Sequence, residues 1–109
     1  MKRYCLTLDL KNDPELIAGY VEHHQQVWPE VISSIRDSGI RQMEIFQVHT
    51  RLFMIMEVDG SFTFENKQKL DADNPKVQEW ETLMEQYQQR LPFAKGGEKW
   101  VLMEKIFEL

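Results

Sequence analysis

From Tyr4 to Leu10 the chain alternates, with Tyr4, Leu6, Leu8 and Leu10 set against Cys5, Thr7 and Asp9. That is the period-two signature of a half-buried strand. The period then lengthens. Asp13 is suited to cap a helix N-terminus, Pro14 to take its first position and Glu15 to lie at the positive end of its dipole. Leu16, Ile17, Tyr20, Val27, Trp28, Val31, Ile32 and Ile35 form an apolar helical stripe that ends before Gly39, a natural stop. The pattern predicts one helix from Pro14 to about Ser38. "RQMEIFQVH" and "RLFMIMEV" read as two strands of an antiparallel hairpin with its tight break at His49 and Thr50. "GSFTFENKQKL" starts a second helical region. "DNPKVQEWETLMEQYQQRL" completes it after a break, with Asn74 as cap, Pro75 first, and Val77, Trp80, Met84, Tyr87 and Leu91 at helical spacing. "PFAKGG" is a loop, and "KWVLMEKIF" reads as a fourth strand whose Trp100, Leu102, Met103, Ile106 and Phe107 supply apolar groups to both faces.

The order βαββαβ, with two helical regions able to cover one face of a four-stranded antiparallel sheet, predicts an α+β ferredoxin-like sandwich. In the third strand Leu52, Met54 and Met56 lie on one side and Phe53 and Ile55 on the other, so both faces of the sheet expect a cover. The helices of this chain can cover only one. A second copy packed sheet to sheet is the economical cover for the other face, giving a homodimeric α/β barrel.

Composition narrows the picture. A chain of 109 residues fits a single domain, 1–109, built on one core. With 42% hydrophobic and 28% charged residues it has an ordinary globular balance. No apolar run approaches membrane-spanning length, so no membrane partner is expected. A formal net charge of −5 leaves no clustered basic surface for phosphates, which argues against nucleic acid. The N-terminal apolar stretch is short, broken by Thr7 and Asp9, and reads as a strand in preference to a signal peptide. Cys5 is the only cysteine, which excludes an intrachain disulfide, a thiolate zinc cluster and a Cys-x-x-Cys pair and makes a cytoplasmic location the default.

Candidate chemistry collects on the first predicted helix, where Tyr20, His24 and Trp28 recur every four residues. Two readings are open: a core histidine satisfied by its neighbours, or a pocket wall carrying a proton-transfer group. Trp28 and Trp80 offer flat apolar faces with one N–H each, suited to the C–H face of a sugar or another small amphipathic ligand. Pro29 removes a donor to the Gln25 carbonyl and should bend the helix, either opening a gap beside His24 or accommodating the sheet twist. His23 and His24 point about 100° apart on a helix and make a poor chelating pair, so no metal is expected. There is no phosphate loop, nucleophile elbow or dinucleotide fingerprint, and no cofactor is expected. Glu44, in the second strand, lies either on the outer side or aimed into a pocket as a substrate-binding carboxylate.

Tyr20, His24, Trp28, Pro29 and Glu30, spaced Tyr-x-x-x-His-x-x-x-Trp-Pro-Glu, together with "RLFMIME" in the third strand and a tryptophan in the late helix, resemble the L-rhamnose mutarotase family. The resemblance implies a dimeric ferredoxin-like barrel that interconverts the α and β anomers of a 6-deoxy-L-hexose by cofactor-free acid/base ring opening. It also implies that His24 is the catalytic acid and that Tyr20 contacts the sugar. Trp80 matches the first of a tandem tryptophan pair that contacts substrate, whereas Glu81 replaces the second, and a sugar-contacting aromatic on the second strand becomes Met43. L-Fucose therefore competes with L-rhamnose as the monosaccharide substrate. On this reading His24 delivers the ring-oxygen proton and the general base is open, with Tyr20, as a second catalytic group able to relay a proton, and Glu44 among the candidates. Two other readings are a small dimeric-barrel monooxygenase with a His-bearing apolar pocket and a non-catalytic binding or assembly module.

Overall fold

The computed structural model describes residues 1–109. Its elements run β1 (Lys2–Leu10), α1 (Pro14–His23), α2 (Pro29–Asp37), β2 (Ile40–Val48), β3 (Arg51–Val58), α3 (Phe64–Ala72), α4 (Pro75–Glu85), β4 (Gln88–Gln89) and β5 (Val101–Leu102). The antiparallel sheet has the order β2-β3-β1-β4, with β5 also paired to β1. This is the ferredoxin-like α+β arrangement expected from the order of elements.

The caps read from the sequence form. The Asp13 carboxylate accepts from the N–H groups of Glu15 and Leu16, and Asn74 accepts from Lys76 and Val77, each just ahead of a proline at the first helical position. Gly39 ends α2 with φ +100°, and a β-carbon there would lie 2.7 Å from Asp59 Oδ1. His49, at the tip of the β2–β3 hairpin, is exposed and holds a positive φ of 51°.

Three expectations need correction. The single helix over Pro14–Ser38 is two helices separated by five residues. Proline disfavours helical backbone in the residue before it, and Trp28 accordingly adopts φ −57°, ψ 137°, placing Pro29 at the start of a new helix instead of inside a bent one. The last helix stops at Glu85, short of Tyr87 and Leu91, because the following backbone pairs with β1: Lys11 N–H donates to the Tyr87 carbonyl at 2.8 Å, and Gln88 and Gln89 face Leu10 and Asp9. The fourth strand is therefore split. Its first piece is β4, its second is β5, and residues 90–100 make an excursion between them. Beyond the bond from Met103 N–H to the Cys5 carbonyl, the expected strand does not continue, and Ile106 and Phe107 are exposed.

Register decides what lies on each face. Leu6, Leu8 and Leu10 of β1 face the same side as Leu52, Met54 and Met56 of β3, and all are buried. Two apolar clusters fill that side. In one, Leu10 and Leu52 meet Tyr20, Val31, Val77, Trp80 and Met84; in the other, Leu6, Met54, Met56 and Val58 meet Ile40 and Phe62. Trp100, Ile35 and Ile45 touch both. The opposite face carries Cys5, Thr7, Phe53, Ile55, Phe46 and Val48, the last two largely exposed.

Candidate active site

The site is assembled where α1 ends. His24 is the C-cap residue of α1, and its Nδ1–H donates to the Tyr20 carbonyl at 2.8 Å, occupying an acceptor that the end of the helix leaves open. This fixes the tautomer. With Nδ1 carrying the proton, Nε2 holds the lone pair and makes no hydrogen bond within the chain. The Tyr20 ring lies 4.3 Å from the imidazole, centroid to centroid.

Helix α4 supplies the facing wall. Trp80 is buried and sits edge-on to His24 at 5.6 Å and to Trp28 at 5.2 Å. The break in the predicted long helix means that Trp28 arrives as the N-cap of α2, and it joins His24 through the Trp80 indole. Tyr20, His24, Trp28 and Trp80 are thus brought together, although Tyr20, His24 and Trp28 do not share the one helix expected of them.

Two further rings belong to this cradle. Tyr87 packs edge-on against Tyr20 at 6.2 Å and shares a 3.0 Å hydrogen bond with His23 Nε2. His23 in turn meets Trp80 at 6.3 Å. Gly19 makes room for this arrangement, since a β-carbon there would stand 2.9 Å from Tyr87 Cε1. A glycine in mid-helix one residue before Tyr20 was the sequence signal for a close approach; Tyr87 itself was masked by its place in an apparent helical stripe.

Burial tunes the two central groups in opposite senses. It lowers the His24 pKa; the hydrogen bond to Tyr20 opposes this shift and the neighbouring His23 adds to it, and the imidazole is neutral at pH 7. It pushes the Tyr20 phenol up to about 12, with the Gln88 side-chain amide pulling back, so Tyr20 keeps its proton. A neutral imidazole with an open Nε2 beside a permanently protonated phenol is a proton acceptor next to a hydrogen-bond donor.

Glu44 does not join them. It pairs with Ile55 while its neighbour Met43 pairs with the buried Met56, so alternation along β2 puts Glu44 on the sheet face away from the helices, where it is exposed. Within the chain this register keeps Glu44 apart from Tyr20, His24, Trp28 and Trp80. Glu81, half buried beside Trp80, faces Lys99, Asp71 and Lys67, and its carboxyl is raised by burial. A polar cleft of about 390 Å³, bordered by Glu30, Ser33, Ser34, Asp37 and Asn74, lies outside the aromatic cradle. No group of three or more His, Cys, Asp or Glu side chains is arranged to hold a metal ion.

Residues 3–109 match the family model described as L-rhamnose mutarotase. The chain belongs to the L-rhamnose mutarotase family. An L-fucose mutarotase of Xanthomonas campestris pv. campestris is 42% identical over 111 residues, a similarity covering 100% of this chain and 89% of that protein. Among solved structures, an L-rhamnose mutarotase from Formosa agariphila superimposes with a TM-score of 0.73 at 23% identity, covering 100% of this chain and 99% of that one. A dimeric ferredoxin-like protein from an uncultured marine organism gives a TM-score of 0.55 at 14% identity, over 98% and 91% of the two chains. These two structural likenesses carry the fold. Family membership favours an isomerase acting on sugars over the monooxygenase and assembly-module readings.

Proposed function

We propose that this protein is an aldose mutarotase that interconverts the α and β anomers of a 6-deoxy-L-hexose, with L-fucose ahead of L-rhamnose. The observation that carries the reading is the fixed tautomer of His24, which commits Nδ1–H to the Tyr20 carbonyl and leaves a basic Nε2 within an aromatic cradle. The preference for L-fucose is supported by the 42% identical relative of that name and by Glu81 and Met43 standing where the family motif carries aromatics.

Ring opening of a cyclic hemiacetal takes the proton from the anomeric hydroxyl and places one on the ring oxygen as the bond between the ring oxygen and the anomeric carbon breaks. Both oxygens are attached to that carbon, so one imidazole nitrogen can serve them in turn. Neutral His24 accepts the hydroxyl proton at Nε2 and delivers it to the departing ring oxygen. Rotation about the adjacent carbon–carbon bond presents the other carbonyl face, and the same steps in reverse close the ring. His24 thereby fills the acid role implied by the family resemblance and also the role of base. Tyr20 donates a hydrogen bond to the sugar, while Trp28 and Trp80 provide apolar faces for its C–H groups.

The exposed apolar face bearing Phe46, Val48, Phe53 and Ile55 supports a homodimer packed sheet to sheet. No helix is long and apolar enough to cross a membrane, and we place the protein in the cytoplasm. Saturation-transfer NMR on L-fucose, L-rhamnose and other deoxysugars tests the function without a coupling enzyme. We expect faster anomer exchange, greatest for L-fucose; uncatalysed rates across the whole panel would refute the reading.

A further inference from the structure

One buried side-chain polar atom lacks a partner. The side-chain Oε1 of Gln88 is sealed from solvent and accepts no hydrogen bond. Gln88 is pinned in place: it faces Leu10 across the β1–β4 ladder, and its neighbour Tyr87 accepts from Lys11 N–H. Leu10 belongs to the same apolar cluster as Tyr20, so this register directs Gln88 toward the helices. There its side-chain amide acts on the Tyr20 phenol, pulling the phenol's pKa back against the effect of burial. An unpaired buried acceptor is costly, and an apolar side chain of similar length would remove that cost.

We propose that Gln88 is a positioning residue for Tyr20. A tyrosine hydroxyl has one proton to give and lone pairs to receive. When the Gln88 N–H donates to the phenol oxygen, the Tyr20 proton must point elsewhere, toward the cradle shared with His24. A reversed amide would satisfy Oε1 but would spend the Tyr20 proton on Gln88. The orphaned oxygen thus follows from the orientation that keeps Tyr20 available as a donor to substrate. This inference rests on the mutarotase reading and adds to it a residue that acts through Tyr20.

The test is a cycle of Gln88→Met, Tyr20→Phe and the double variant, measured by saturation-transfer NMR with thermal unfolding alongside. Gln88→Met should lower kcat about tenfold, the scale of one lost hydrogen bond. Its KM should change less than twofold and its Tm should hold or rise. In the Tyr20→Phe background the same substitution should have no further effect on kcat, because the group it orients is gone. Unchanged kcat in Gln88→Met, or an equal fall in both backgrounds, would overturn the positioning role while leaving the mutarotase intact. A wild-type protein without exchange activity would overturn both. Should Gln88→Met not fold, Gln88→Leu enters the same cycle with the same outcomes.

Discussion

His24 Nδ1–H and the carbonyl of Tyr20, one turn earlier, are joined by a 2.8 Å hydrogen bond at the end of α1. The bond sets the tautomer, and the tautomer sets the chemistry. A ring with its Nδ1 proton committed presents a lone pair at Nε2, and burial keeps that ring uncharged at neutral pH.

The pH dependence follows from that sign. If neutral His24 is the working form, exchange should be level around pH 7 and fall in acid with a midpoint below 6.5, since the His24 pKa is lowered. With Tyr20 at about 12, no alkaline loss from phenol ionisation should appear below roughly pH 10. Anomer exchange followed across the pH range checks both limbs, and a rate that climbs as pH drops through 6.5 would assign the work to the imidazolium. Stability moves in the same direction. The unfolded state binds this proton more readily, so the contribution of His24 is present above about 6.5 and lost as pH falls toward its lowered value. Urea unfolding at paired pH values of wild type and His24→Gln measures it.

Gly19→Ala should disturb the cradle without touching a polar group. The added methyl meets the Tyr87 ring at 2.9 Å, which must shift and loosen its bond to His23. We expect exchange to weaken several-fold with a stability loss of about 1–3 kcal/mol, the usual scale for overpacking. Kinetics and denaturant unfolding report the two effects separately.

Gly39→Ala tests the end of α2. The residue holds φ +100°, and its new β-carbon would crowd Asp59 and Ser61. Left-handed backbone alone costs about 1–2 kcal/mol for a residue with a side chain. Chemical denaturation should register at least that loss, and an unaltered midpoint would contradict the geometry.

Phe46→Asp addresses the uncovered sheet face. Phe46 is 52% exposed and lies beside Phe53, at 6.4 Å between ring centroids. A carboxylate in a sheet-to-sheet contact would be buried without a partner, so the variant should sediment as a monomer where wild type sediments as a dimer. Equal masses for the two proteins would count against this face as the interface.

Much of this was legible in the chain. Asp13-Pro14 and Asn74-Pro75 announced two helix starts because their capping chemistry is local. The alternation in β1 and β3 announced the sheet and its two apolar faces. What escaped depended on distant partners. Pro29 is compatible with a kink or a break, and the Trp28 backbone decides for a break. Tyr87 fitted a helical repeat, yet the competing ladder to Lys11 and Leu10 ends the helix at Glu85 and turns Tyr87 onto Gly19. Glu44 was ambiguous until the register of β2 against β3 fixed its side. Gln88, with no motif around it, became visible only through its unpaired oxygen.

The measurement that bears most directly on the role of His24 compares wild type with His24→Ala by saturation-transfer NMR on L-fucose, with thermal unfolding recorded on both. His24 is half buried at a helix end, so the variant should remain folded while its exchange rate drops roughly 100- to 10,000-fold, the range of a lost acid/base group. A folded His24→Ala protein that exchanges anomers as fast as wild type would contradict the account.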